Sequence, residues 1–175
     1  MTSANGESMN VEISGKGLVE VPTGSTVADA LGSRAFKGQK NAKDSIVAAF
    51  VDGVIMDLDA ELKPDSTIEA VKASSEPGRA VLRHSTAHVM AQAVSRLWPG
   101  AHYAIGPVIE GGFYYDFELP GGAHFSDQDL DRIDEEMRSI IREDQPFDRE
   151  EHDRLSGLAL FSDQPFKVEI IETVA

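Results

Sequence analysis

Arg83-His84-Ser85-Thr86-Ala87-His88 sits inside the apolar-periodic run Ala80 to Trp98. Leu82, Val89, Ala93 and Leu97 recur at helical spacing, with Met90 beside them, so the run predicts a helix. Ser75, Glu76 and Pro77 are start signals, and Pro99-Gly100 is a stop. Two histidines four apart on a helix stand one turn apart on one face, so both imidazoles reach a single small target. At roughly 100° per residue they fall opposite the Leu82/Val89/Ala93/Leu97 stripe. Their own face carries Ala80, Ala87, Ala91 and Ser95, which leave room for something to approach. The competing reading is a pair of surface histidines. A core pair is disfavoured, because neither residue belongs to the apolar stripe.

Downstream of Pro99-Gly100, Ala104 to Phe117 reads as two strands around a Glu110-Gly111-Gly112 turn. Gly106-Pro107 inside the first strand indicates an edge, a bulge or a close backbone approach to a ligand. Alternation puts Phe113, Tyr115 and Phe117 on one face and Tyr114 and Asp116 on the other. Phe113 and Phe117 read as sheet core, and the Tyr115 hydroxyl needs a partner if buried. Ser126 caps a further helix, with Phe125 stapling onto Leu130. Leu130, Ile133, Met137, Ile140 and Ile141 form its apolar stripe. Asp127, Asp129 and Asp131 suit the positive end of its dipole, and it ends before Pro146. Glu150 to Leu160 reads as another short helix. Phe166 to Ile171 reads as a strand with Lys167 on the face opposite Phe166, Val168 and Ile170. With no capping element after that strand, the chain reads as truncated. His102, His124 and His152 lie in turn-like or polar contexts and read as surface residues.

Upstream, residues 1–8 are polar and aperiodic and read as disordered. Val11-Glu12-Ile13 and Leu18-Val19-Glu20-Val21 flank a Gly15-Lys16-Gly17 turn, and Ser25 or Thr26 caps a short helix through Val27, Ala30 and Leu31. Ile46 to Val51 is a buried strand, Asp52-Gly53 a hairpin turn, and Val54-Ile55-Met56 the return. Thr67 to Val71 is a last strand. Strand–strand–helix–strand–strand–strand within about 65 residues fits a ubiquitin-like β-grasp. The expected class is α+β, with a β-grasp domain over 9–73, a polar linker over 74–79 and a second, α/β two-layer domain over 80–175.

The 175 residues carry a net charge of −14. That argues against broad, backbone-driven nucleic-acid binding, which needs Lys and Arg to neutralise phosphates. Any such contact is local. The acidic run from Asp127 to Asp153 reads as a solvated helix face. No apolar run approaches the 18 or so residues of a membrane span, and the polar N-terminus has no signal-peptide core. The chain has no cysteine, so a disulfide framework and a thiolate metal site are excluded. A cytoplasmic protein is the simplest expectation.

Val11 to Ala73 resembles a TGS domain, the module found in threonyl-tRNA synthetases, certain GTPases and stringent-response nucleotide synthetases. The resemblance rests on Val21-Pro22-Thr23-Gly24-Ser25-Thr26 and Val51-Asp52-Gly53. Arg83 to His88, Leu97-Trp98-Pro99, Ile105-Gly106-Pro107 and Gly112-Phe113-Tyr114-Tyr115-Asp116 resemble, in order and spacing, the editing domain of bacterial threonyl-tRNA synthetases. A related His-x-x-x-His occurs in alanyl-tRNA editing domains, which do not begin with a TGS module.

The resemblance implies a proofreading esterase. Serine is threonine minus one methyl, worth only about 1–3 kcal/mol of discrimination, so a second site that hydrolyses seryl-tRNA(Thr) corrects the error. It implies His84 and His88 as catalytic residues and Tyr115, Asp116 and Lys167 as substrate-binding residues. Which histidine is the base stays open. Its partners would be the acceptor end of tRNA(Thr) and the esterified threonine or serine. ATP, magnesium and zinc, and homodimerisation, go with an aminoacylation core that these residues do not contain. The family also draws a cysteine and a further histidine into the pocket from a later segment, so weak editing by these residues alone is expected.

Two other readings stand beside this one. One is a non-catalytic, TGS-containing regulatory module. The other is a His-x-x-x-His metal-binding hydrolase. Ser85 excludes the His-Glu-x-x-His protease type, which needs a glutamate there. Zinc on His84 and His88 would need Asp116 or another histidine as third ligand.

Overall fold

The computed structural model describes residues 7–32, 45–147 and 150–174. Most of the N-terminal stretch expected to be disordered lies outside them; Ser8 already belongs to the first strand. The chain divides into two compact units, Met1–Leu82 and Arg83–Ala175.

In the first unit, β1 (Ser8–Ile13) and β2 (Gly17–Pro22) form an antiparallel hairpin with Met9 opposite Val21 and Val11 opposite Val19. Alternation turns Met9, Val11 and Ile13 inward, as a one-sided sheet requires. Helix α1 (Val27–Leu31) starts at Thr26, whose hydroxyl accepts from the Asp29 backbone N–H while the Asp29 carboxylate accepts from that of Thr26. This reciprocal pair satisfies two otherwise orphaned donors. Strands β3 (Ile46–Val51) and β4 (Val54–Met56) pair across Asp52-Gly53. Both turn residues have positive φ, 51° and 83°, which matches the twist of a two-residue hairpin. Strand β5 (Thr67–Lys72) runs parallel to β1 and antiparallel to β3. The sheet order is β2-β1-β5-β3-β4. Val11, Val27, Ala49 and Ile68 are completely buried at its centre. Each such Val or Ile contributes about 1.5–3 kcal/mol.

Helix α2 (Glu76–Leu97) carries the boundary between the units. Its first turn, Glu76 to Arg79, occupies part of the stretch read from sequence as a linker. In the second unit follow β6 (His102–Tyr103), β7 (Val108–Ile109), β8 (Gly112–Phe113) and β9 (Phe117–Glu118). β6 pairs with β9 and β7 with β8, both antiparallel. A 3-10 turn at Pro120–Gly122 leads to α3 (Asp127–Glu143), α4 (Arg154–Leu160) and α5 (Pro165–Val174). Ala93, Val94, Ala101, Leu119, Ile133 and Ile140 form the core, with Val89, Met90, Leu97, Trp98, Phe117 and Met137 packed on it. The architecture mixes helices and a mixed sheet, compatible with the expected α+β class.

Four sequence expectations need correction. Phe166 to Ile171 is not a strand but the body of α5. Val168, Ile170 and Ile171 favour strands, yet Pro165 occupies the first helical position, where its fixed φ and missing N–H suit a helix start. The Ala104–Phe117 stretch makes the two-residue strands β7 and β8 and the start of β9 rather than two longer strands, and Tyr115 and Asp116 lie between strands. On α3, Ile133 and Ile140 are buried, but Leu130 and Ile141 are exposed. Leu82 on α2 is also exposed, whereas Ala87 and Ala91 are buried as deeply as Ala93 and Val94. The small-residue face of α2 is therefore packed as well as the apolar one.

Candidate active site

His84 and His88 lie one turn apart on α2, both exposed. Their Nε2 atoms are 3.1 Å apart. The rings meet edge to face with centroids 4.6 Å apart. At that distance the two nitrogens pair as donor and acceptor, their roles set by the tautomers of the rings. Of the sequence expectation that the pair shares one helix face away from Leu82, Val89 and Leu97, the shared face matches this geometry.

His88 opens onto a cavity of about 450 Å3. Ala91, Gln92 and Ser95 continue its α2 wall, Tyr103 comes from β6, Tyr115 from the loop between β8 and β9, Phe161 from the end of α4, and Lys167 from α5. Ser95 turns its hydroxyl back to the Ala91 carbonyl at 2.9 Å. Gly106 runs directly behind Tyr115: a Cβ there would sit 2.3 Å from two ring carbons and 3.3 Å from the Ala87 Cβ. The close approach expected at Gly106-Pro107 is thus to an aromatic wall of the cavity. Tyr115 stacks on Phe117 with centroids 5.0 Å apart and meets Tyr103 edge-on at 6.2 Å.

Lys167 extends its ammonium over the Tyr103 ring, 5.3 Å from the centroid, an attraction of cation to ring quadrupole. Among the described residues no carboxylate pairs with it. Burial lowers its pKa below the ordinary lysine value. His88 is also held below its ordinary value, first by desolvation, then by the positive charges of His84 and Lys167. Burial, then Tyr103, raises the Tyr115 hydroxyl, which keeps it a proton donor. The wall therefore offers a neutral imidazole, a cation and a phenol.

Of the sequence-predicted residues, His88, Tyr115 and Lys167 line the cavity, and His84 joins through His88. Asp116 does not: its side chain is exposed, and its backbone carbonyl accepts from Ala104 N at 3.2 Å. Among the described residues no three His, Cys, Asp or Glu side chains gather so as to hold a metal ion. Tyr103, Phe161 and Gln92 were missed. Tyr103 is set opposite Phe117 by the β6–β9 register, a tertiary pairing with no local sequence signal. Pro165 was the missed signal for the helix that delivers Lys167.

No family model matches the chain. Curated proteins do. A threonine–tRNA ligase of Rubrobacter xylanophilus is 44% identical over 137 residues, 78% of this chain and 21% of that protein. One from Syntrophomonas wolfei is 46% identical over 135 residues, 76% of this chain and 21% of its own length. One from Acidithiobacillus ferrooxidans is 42% identical over 159 residues, 90% of this chain and 23% of its own length. The chain spans about a fifth to a quarter of the curated relatives it matches. By sequence the chain belongs to the threonine–tRNA ligase family and corresponds to a segment of its members.

Proposed function

We propose that the second unit is an esterase site that hydrolyses seryl-tRNA(Thr), the proofreading part of a threonine–tRNA ligase. The observation that carries this reading is the convergence of His88, Tyr115 and Lys167 on one cavity, with His84 bonded to His88. Ester hydrolysis needs a group to take a proton from water and donors for the oxyanion. The imidazole pair accepts the proton of the attacking water as the new C–O bond forms. The Lys167 ammonium and the Tyr115 hydroxyl stabilise the negative oxygen. The proton passes to the departing ribose oxygen as the ester bond breaks, releasing serine and tRNA. His88, kept neutral by its surroundings, is ready as a base near pH 7.

The first unit we read as a TGS-type β-grasp, supported by its order β2-β1-β5-β3-β4, the parallel β1–β5 pair and one short helix after the first hairpin. Ligation with ATP, magnesium and zinc, and dimerisation, belong in this reading to the aminoacylation part of such an enzyme, working in the cytoplasm. The partner of this segment is the acceptor end of seryl-tRNA(Thr). Incubating the protein with seryl- and threonyl-tRNA(Thr) tests the reading. Slow release of serine, with threonine retained, is expected; equal release from both at the buffer rate would contradict it.

A further inference from the structure

Gln164 lies between the two cavity walls that the C-terminal part of the chain supplies. Its backbone N–H donates to the Phe161 carbonyl at 2.9 Å, and its own carbonyl accepts from Lys167 N at 2.9 Å and Val168 N at 3.1 Å. It thus closes the turn after Phe161 and opens the helix that carries Lys167. Its side chain reaches back to strand β6. The amide nitrogen donates to the Ala101 carbonyl and the amide oxygen accepts from the Tyr103 N–H, each at 3.3 Å. One side-chain amide thereby imitates a neighbouring strand, filling the Ala101 acceptor just before β6 and the Tyr103 donor within it. Tyr103 is the residue under the Lys167 ammonium.

We propose that Gln164 is a positioning residue of this site: its two-point clamp on Ala101 and Tyr103 holds the start of α5 against β6 and so fixes Lys167 over the Tyr103 ring. The proposal deepens the esterase reading, since it concerns the cation assigned to the oxyanion. It needs both ends of the amide. A side chain of equal length without hydrogen bonds keeps the packing and loses the clamp. An amide one methylene shorter keeps the chemistry and loses the reach. In either case Lys167 is freed to leave the half-buried wall for water, where an ammonium regains its ordinary pKa.

The test uses the 175-residue chain and reads Lys167 directly. Gln164→Met and Gln164→Asn are compared with the parent by the pH dependence of amine labelling at Lys167, resolved by peptide mass spectrometry, with Lys72 as an internal reference. Both variants are expected to move the Lys167 midpoint upward by about half a pH unit or more, within the range that burial imposes on lysines. The Trp98 emission spectrum and the Lys72 profile should stay unchanged. An unmoved Lys167 midpoint in both folded variants overturns the proposal. So does collapse of the unit's folded spectrum in both, which would make Gln164 a folding residue. Seryl-tRNA(Thr) hydrolysis measured on the same samples separates this from the functional reading. A shifted Lys167 with no serine release from any sample leaves the clamp standing and sinks the esterase.

Discussion

His84 and His88 differ although they touch. His88 faces the cavity and Lys167, and its pKa is lowered. Between that lowered value and the ordinary histidine value, the folded state binds fewer protons than the unfolded one. Stability is therefore present above the ordinary value and is lost as pH falls through the folded one. Replacing His88 with Asn should flatten the decline in melting temperature below about pH 6.5, the ordinary histidine value. An unchanged acid limb would show that His88 is not desolvated as described. Lys167 has the same sign in its own window, below the ordinary lysine value. His84 is exposed and off the core, so His84→Ala should change stability by about 0.5 kcal/mol or less, as a melt at pH 7.5 would record. The histidines were legible in the sequence because a four-residue spacing on a helix is local geometry. Tyr103 was not, because its place beside Lys167 follows from a two-residue strand whose register is set by Phe117.

Among the elements, the hairpins and the capped helices were readable because each carries its own punctuation: Asp52-Gly53, Thr26 with Asp29, Ser126 with Asp129. Helix α5 was misread because its residues have strand propensity and only Pro165 marks its start. The exposed Leu130 and Ile141 show the limit of a periodic stripe, which gives the direction of a helix face but not its width. At Gly106 an added methyl would meet the Tyr115 ring at 2.3 Å, and that ring is held by Phe117 and Tyr103. Gly106→Ala should cost about 1–3 kcal/mol by overpacking and shift the Tyr115 ring resonances. A silent spectrum and an unchanged melt would show the loop to be free to yield. Asp153 caps α4 by accepting from Ser156 N at 2.8 Å, so Asp153→Ala should cost about 0.5–2 kcal/mol, read from the denaturant midpoint.

For the whole molecule, the charge of −14 and the cavity lined by His88, Tyr115 and Lys167 set different expectations. A chain so acidic should bind tRNA weakly through phosphates. The sequence holds no Gly-rich phosphate loop, so threonine-dependent ATP–pyrophosphate exchange by these residues should be absent, and its detection would contradict the division of labour proposed here. The most direct measurement is misacylation repair in a full-length relative, such as the Syntrophomonas wolfei threonine–tRNA ligase, with its matching segment replaced by this chain. Hydrolysis of seryl-tRNA(Thr) by that chimera should fall about 10²–10⁴-fold on His88→Ala, the usual cost of a lost general acid–base group. Threonyl transfer should stay nearly intact. Seryl-tRNA(Thr) hydrolysis unchanged by His88→Ala, in a chimera that still ligates threonine, would contradict the esterase site.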